Sequence, residues 1–408
     1  MERKFKNNTD FGKQYKEFIK EYESLGHMSL VNSSSHTSKH QNFLPHHAVI
    51  KPSSTTTKLR VVFDASCQTT NGTSLNFLLG VGPKSQRDIF EILLNFRIPK
   101  IVFTADIEKM YRQILVANED QKYKILWRNN SNEDIRTYKL KTVTYGLASA
   151  SFMATRCIKQ IALDHQDNPN LSRILQEDIY MDDLLSGLDT PNNAISICKD
   201  IAHVLKHSSH DTRVEFSKYS NESSKVLGLF WNSSNDTFRF QPSLELTPPL
   251  RKRRILSESS KIFDPLGLLS PCTVFMKIFY QKLWLTKTYW DSPIQQQLTE
   301  DWLKFQKAFN EINYLTVPRW VILTADNTIK LHGFADASSL AYAAAIYCRQ
   351  KHNGKIKVQL LVSKTKVAPV KQVSIPRFEF CGAHLLSKLF KSVLWTLLLM
   401  YSFGRILK

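Results

Sequence analysis

The stretch Tyr180-Met181-Asp182-Asp183, set between Ile179 and Leu184-Leu185, limits the folds open to this chain more than any other. A strand sends successive side chains to opposite faces, so two adjacent carboxylates inside an apolar run cannot both reach solvent, and neither belongs in a core. A tight hairpin removes the conflict. Strands over 179–181 and 184–188 would leave Asp182 and Asp183 at the bend, where carboxylates can meet a divalent cation. For the pair taken alone, a charged hairpin on a solvated surface is the competing reading.

A third carboxylate gives the pair a context. Ile101-Val102-Phe103-Thr104-Ala105-Asp106 reads as a buried strand ending in an acid, followed by Ile107-Glu108-Lys109-Met110-Tyr111-Arg112. A lone Asp at a strand end is usually a turn or cap residue; a second acidic cluster on a later strand changes its meaning. Two-metal phosphoryl transfer needs carboxylates from separate strands. Together they hold two Mg²⁺ ions about 3.5–4 Å apart, which position the attacking 3′-hydroxyl and the leaving pyrophosphate. Asp106, Asp182 and Asp183 meet that need, with Tyr111 just beyond the first of them.

Charge points the same way. The 55 Lys and Arg outnumber the 36 Asp and Glu by 19, a surplus that implies a polyanionic partner. Nucleic acid is the simplest candidate, an acidic membrane surface the weaker one, and part of the surplus can serve solubility alone. At 408 residues the chain is long for one core, so two or three domains are expected. The six cysteines form no C-x-x-C pair and no signal peptide opens the chain. Reduced thiols, an intracellular setting (cytoplasmic, nuclear or within a virus-like particle) and no zinc are the expectations. The longest apolar run, 393–400, falls short of the roughly 20 residues of a membrane span and reads as a buried helix, or one left exposed by truncation.

The remaining pattern is one of alternating helices and strands. Residues 11–25 place Phe11, Tyr15, Phe18, Ile19, Tyr22 and Leu25 on one helical face, and 33–41 is a polar loop. His46-His47 has no third metal ligand nearby. The strand at 59–64 carries Arg60, with Lys51 and Lys58 before it; these are either cations lining a phosphate groove or a basic solvated edge. Ser85 is read as the cap of a helix running to Phe96, and 123–127 with 137–140 as a hairpin. Gly146 precedes a helix of small residues whose inward face is read as Met153, Cys157 and Ile161. A helix at 193–207 and a strand at 226–231, pairing with 238–240, complete an α/β-rich stretch from about 45 to 245. Arg251-Lys252-Arg253-Arg254 then reads as a nuclear signal, a nucleic-acid contact or a solvated helix start. The aromatics Phe279, Tyr280, Trp284, Tyr289, Trp290 and Trp302 fit core helices. Strands at 331–336, 342–348 and 358–363 follow, then a helix from 376 with Phe380, Ala383, Leu386, Leu389 and Phe390 inward.

Seven motifs in fixed order resemble the reverse transcriptase region of a Pao/BEL-type long-terminal-repeat retrotransposon polyprotein. They are Leu44-Pro45-His46-His47-Ala48-Val49-Ile50-Lys51, Leu59-Arg60-Val61-Val62-Phe63-Asp64-Ala65-Ser66, Thr104-Ala105-Asp106-Ile107-Glu108-Lys109-Met110-Tyr111-Arg112, Thr142-Val143-Thr144-Tyr145-Gly146, Tyr180-Met181-Asp182-Asp183, Ile262-Phe263-Asp264-Pro265-Leu266-Gly267 and Phe334-Ala335-Asp336-Ala337-Ser338. The resemblance implies an α+β right-hand polymerase fold of fingers, palm and thumb/connection, followed by a truncated RNase H-like α/β domain. The implied segments are an N-terminal helix and loop (1–44), fingers and palm (45–245), a helical thumb/connection (246–325) and a partial RNase H-like domain (326–408).

Carried over by position, Asp106, Asp182 and Asp183 are the implied catalytic metal ligands for two Mg²⁺ ions, with Mn²⁺ as a substitute. Lys51, Arg60, Tyr111, Gly146 and Met181 are the implied substrate contacts, Tyr111 gating against a ribose 2′-hydroxyl and Arg60 with Lys51 clamping the triphosphate. Leu227-Gly228 matches the turn that grips the primer, and Asp336 with Glu379 the first two carboxylates of an RNase H site. The implied activity is RNA-directed DNA polymerisation, with RNA template, DNA or RNA primer and deoxynucleoside triphosphates as partners and no membrane. Tyr145 stands where many reverse transcriptases have Gln, and no Thr-Asp-Ser-like strand supplies further RNase H acids, so RNA hydrolysis is not expected. A catalytically inactive retroelement fragment that only binds nucleic acid is the alternative.

Overall fold

The computed structural model describes residues 1–31, 42–50, 59–207, 214–216, 224–241, 244–321, 329–352, 354–371 and 373–402. Lys51, Lys58 and the polar loop expected at 33–41 lie outside the described residues. In chain order the elements begin with α1 (Glu2–Asn7), α2 (Thr9–Ser24), β1 (Met28–Leu30), β2 (Asn42–Phe43), β3 (His46–Ile50), β4 (Leu59–Phe63), α3 (Leu75–Leu78), α4 (Ile89–Phe96) and β5 (Ile101–Ile107). Next come β6 (Tyr123–Trp127), β7 (Arg136–Leu140), α5 (Ala150–Asp164), α6 (Pro169–Glu177), β8 (Ile179–Tyr180), β9 (Asp183–Leu188), α7 (Pro191–His207), β10 (Val214–Phe216), β11 (Ser224–Val226), β12 (Leu229–Asn232) and β13 (Thr237–Arg239). The rest are α8 (Lys252–Ser259), α9 (Ser270–Leu285), α10 (Gln296–Phe309), β14 (Thr316–Pro318), β15 (Ile329–Ala337), β16 (Ala341–His352), β17 (Lys355–Val367) and α11 (Ile375–Ser402).

Packing divides the chain into two units built from interleaved segments: 1–86, 106–176 and 199–215 in the first, 87–105, 177–198 and 216–408 in the second. In the first, the apolar stripe of α2 buries Tyr15, Ile19 and Tyr22 against Val61 and Phe63 of β4, Ile125 and Trp127 of β6, and Tyr138 and Leu140 of β7. Each such side chain contributes about 1.5–3 kcal/mol by leaving water. The sheet order here is β1-β7-β6-β2, with β3 and β4 forming a separate antiparallel pair.

Two cores stand out among the described residues of the second unit. One joins Ile92, Leu93 and Phe96 of α4 to Leu185 of β9, Trp231 and Phe238 of the β12–β13 pair, Ile346 and Val362 of β16 and β17, and Leu385, Leu389 and Val393 of α11. The other gathers Ile255, Phe279, Leu283, Trp302 and Phe309 from α8, α9 and α10. Two fully buried guanidiniums tie the first core together. Arg97 donates to the carbonyls of Pro318, Arg319, Leu360 and Leu361 at 2.6–3.3 Å. Arg319 forms a bidentate pair with Asp236 at 2.6 and 2.8 Å and donates to the carbonyls of Phe96, Pro99 and Lys100. A planar fork of donors is what lets Arg serve so many buried carbonyls at once.

Several expectations are corrected. Ser85 does not cap α4: the N-cap is Asp88, and Ser85 Oγ lies 2.5 Å from Thr155 Oγ1. The inward face of α5 is Ala150, Ala154, Ile158 and Ala162, one position round from the predicted Met153, Cys157 and Ile161. On α11 the buried residues include Phe378, Leu385, Leu389, Val393 and Leu397, while Phe380 is 73% exposed and Ala383 is exposed. In both helices small residues or a long apolar tract blur the 3.6-residue signal. Trp284, Tyr289 and Trp290 are substantially exposed rather than core. The strand expected at 226–231 is two strands, β11 and β12, split by a turn.

Candidate active site

β8 and β9 pair antiparallel, Ile179 opposite Leu184 and Tyr180 opposite Asp183, which leaves Met181 and Asp182 as a two-residue turn. Both acids were expected at the bend; only Asp182 is there, exposed, while Asp183 opens β9 and is half-buried. Met181 has φ +58°, the left-handed sign that matches the twist of a tight hairpin and that a residue with a Cβ adopts at a cost of about 1 kcal/mol or more. The base of the hairpin is anchored by Asp178, 2% exposed. Its carboxylate accepts from Ser186 Oγ at 2.6 Å and from Asn95 Nδ2 at 3.1 Å, and its carbonyl accepts from Leu185 N at 2.9 Å. Gly187 permits close packing: a Cβ there would stand 2.5 Å from the carbonyl oxygen of Ile101 on β5. The sheet order is β10-β5-β9-β8.

Asp106 lies near the end of β5, is exposed, and belongs to the first unit. After it, Lys109 takes a left-handed φ of 52° and starts a 3₁₀ turn, Met110–Gln113, that carries Tyr111 and Arg112. The Arg112 guanidinium lies 5.0 Å from the ring centres of Phe18 and Tyr22 and 5.6 Å from that of Tyr145, a cation held among aromatic faces. Tyr111 Oη is 3.2 Å from Ser151 Oγ in the first turn of α5.

The loop before α5 is held from two sides. Tyr145 Oη donates to the Val61 carbonyl at 2.7 Å, and burial pushes its phenol pKa upward, with Arg112 acting the other way. Gly146 has φ +97°, and a Cβ would stand 2.1 Å from the Phe63 carbonyl oxygen, so no other residue fits without moving β4. From the opposite side Asn76 Nδ2 donates to the Gly146 carbonyl at 2.9 Å, and Asn76 Oδ1 accepts from Ala148 N at 2.8 Å. β4 buries Leu59, Val61 and Phe63 and exposes Arg60 between them. The first unit thus gathers Arg60's strand, Tyr111 and Gly146 about one loop.

Leu227 and Gly228 form the turn between β11 and β12, both left-handed at φ 43° and 91°, with Gly228 packed on the Phe263 ring. Asp336 on β15 and Glu379 on α11 are both exposed. Gly382 lies one helical turn beyond Glu379, and a Cβ there would stand 3.6 Å from the Asp336 carbonyl oxygen, in ordinary contact. His46 is structural: Nδ1 meets Tyr15 Oη at 2.5 Å and Nε2 meets the Leu126 carbonyl at 3.1 Å, and burial lowers its pKa. The basic run opens α8, where Arg253 pairs with Asp291 at 2.8 and 2.9 Å.

Among the described residues no three His, Cys, Asp or Glu side chains are grouped as a ready-made metal cage. Magnesium does not require one: it keeps several waters and takes one or two carboxylates together with substrate phosphates, which the exposed Asp182 and half-buried Asp183 suit as hard oxygen donors. Among the described residues no helix is long and apolar enough to cross a membrane. The pattern gave no signal for Asn76, Ser151 or Asp178. Each is a small polar residue whose meaning lies in distant partners, although Ser74 before Leu75-Asn76 is a legible helix cap.

Solved structures share the fold. The chain is similar to foamy viral protease-reverse transcriptase dRH in complex with double-stranded DNA, at TM-score 0.63 and 14% identity, covering 93% of this chain and 60% of that one. It is also similar to the foamy viral protease-reverse transcriptase in complex with double-stranded DNA, at TM-score 0.59 and 14% identity, covering 94% and 72%. At that identity the likeness is one of fold: mixed helix and sheet, resembling a retroviral reverse transcriptase with an RNase H-like domain. Residues 251–402 match the family model described as the Pao retrotransposon-like RNaseH-like domain, a span that takes in α8, α9 and α10 as well as the β15–β17 sheet and α11. The family match and the fold together support a Pao-type retrotransposon reverse transcriptase/RNase H region. No curated protein matches the chain.

Proposed function

We propose that this chain is an RNA-directed DNA polymerase that extends a primer by one deoxynucleotide at a time. The primer 3′-oxygen bonds to the α-phosphorus of the incoming triphosphate, the α–β phosphoanhydride breaks, pyrophosphate leaves and the hydroxyl proton is lost. The observation that carries the reading is the β8–β9 hairpin, whose two-residue turn exposes Asp182 and sets Asp183 at the start of β9. Asp106, Asp182 and Asp183 would hold Mg²⁺, or Mn²⁺ in its place, whose charge offsets that of the phosphates during transfer.

The other residues position the substrates. Arg60, exposed on β4, reaches the triphosphate, a task shared with Lys51. The Tyr111 ring, tethered through Ser151, closes the space a ribose 2′-hydroxyl would need. Gly146 presents bare backbone to the nascent base pair, Met181 lies beside Asp182 at the primer end, and the Leu227-Gly228 turn offers backbone groups to the primer strand. The surplus of 19 positive charges suits a template-primer duplex, and the double-stranded DNA bound in the related structures is consistent with such a partner.

Primer extension on an RNA template with Mg²⁺ tests the reading: the wild type should extend and Asp182→Asn should not, with duplex binding retained in both. Equal extension by the two proteins would refute the assignment. Steeply salt-dependent binding with no extension by either would select the inactive, binding-only reading.

A further inference from the structure

We infer that Asn76 is a positioning residue for the nucleotide pocket; this deepens the polymerase reading and rests on it for what the 145–148 loop faces. Short helix α3, capped by Ser74 Oγ accepting from Phe77 N at 3.3 Å, presents Asn76 toward the loop. The backbone N of Asn76 donates to the Ala65 carbonyl at 2.9 Å, which ties α3 to the end of the β4 segment. Its side-chain amide is matched to both polarities of its surroundings. Nδ2 donates to Ser66 Oγ and to the Gly146 carbonyl, both at 2.9 Å, and Oδ1 accepts from Ala148 N at 2.8 Å.

Only a group carrying donor and acceptor on one rigid plane can brace residues 146 and 148 in this way. Gly146 needs the brace more than most residues, because a glycine at φ +97° has many other conformations open to it. On the far side the Phe63 carbonyl and the Tyr145–Val61 bond fix how close the loop comes to β4. Asn76 therefore sets the remaining degree of freedom, the tilt of the 146–148 peptides. An error there is passed on at once, since Ser151 in the next turn contacts the Tyr111 hydroxyl. Asn76 itself is half-buried and outside the hydrophobic core, so its bonds serve the loop more than the fold.

The test uses the full chain with Asn76→Asp and Asn76→Ala. The Asp variant keeps shape and the acceptor for Ala148 but sets a carboxylate oxygen against the Gly146 carbonyl; the Ala variant removes all three bonds. With the thermal midpoint close to wild type, KM for the deoxynucleotide should rise about tenfold while kcat stays within about threefold, and amide exchange at 146–148 should quicken. Folded variants with unchanged KM and unchanged exchange overturn the proposal, as does a loss confined to kcat. A wild type that extends no primer overturns the polymerase reading and Asn76's role toward a nucleotide with it. Exchange at 146–148 then still reports separately whether the brace exists.

Discussion

Ser186 Oγ donates to Asp178 Oδ2 at 2.6 Å across the base of the hairpin that carries Asp182 and Asp183. Asp178 is thus a structural acid of the 178–183 segment. Asp178→Ala would strand the Ser186 hydroxyl and the Asn95 amide, both buried, and should cost about 2–4 kcal/mol in urea unfolding; Ser186→Ala should cost about 1 kcal/mol. An Asp178→Ala variant as stable as wild type would remove the anchoring role.

Tyr111→Val should admit ribonucleotides. The tyrosine ring is tethered at its hydroxyl to Ser151, so removing it opens a fixed volume rather than a mobile one. The ratio of deoxynucleotide to ribonucleotide kcat/KM should fall by at least about tenfold, while kcat for the deoxynucleotide changes little. Unchanged sugar discrimination would take the gate away from Tyr111.

His46 makes the first unit sensitive to acid. Burial holds its folded-state pKa below the ordinary value of 6.5, so as pH falls through that value the unfolded chain takes up a proton the folded chain resists. The stabilisation is complete above the ordinary value and is lost toward lower pH. Urea midpoints at about pH 7.5 and about pH 5.5 should differ more for wild type than for His46→Gln. Equal differences would show that His46 is not responsible.

Arg319→Met should be destabilising, by about 2–4 kcal/mol, because it strands the buried carbonyls of Phe96 and Pro99, the part-buried carbonyl of Lys100 and the half-exposed Asp236 carboxylate. Asp236→Asn, which keeps acceptor capacity, should cost less. Thermal or urea unfolding that ranks the two the other way would contradict the buried-pair account.

Much of this was legible in the residue pattern. The two-residue hairpin follows from adjacent acids in an apolar run, the β6–β7 pair from alternation about a polar turn, and β17 from its β-branched residues. The exact bend was not, because only the left-handed φ of Met181, not its identity, decides that Asp183 opens the strand. Ser85 looked like a cap because Ser is a favoured cap residue; its partner Thr155 is 70 residues away, and no local rule contains it. Asn76 and Arg97 escaped for the same reason. The short helix α1 went unread because six residues carry too little periodicity, and its Phe5 side chain is only half-buried.

Arg97 also ties the timing of assembly to the order of synthesis. Its acceptors at Leu360 and Leu361 lie 263 and 264 positions further along. At ribosomal speeds of about 5–20 residues per second, the guanidinium waits roughly 13–53 s for them to be made. Until then α4 can pack on β9 and on the β12–β13 pair, but the part of its apolar face that meets β16, β17 and α11 stays uncovered, so this core closes late, around the two arginines.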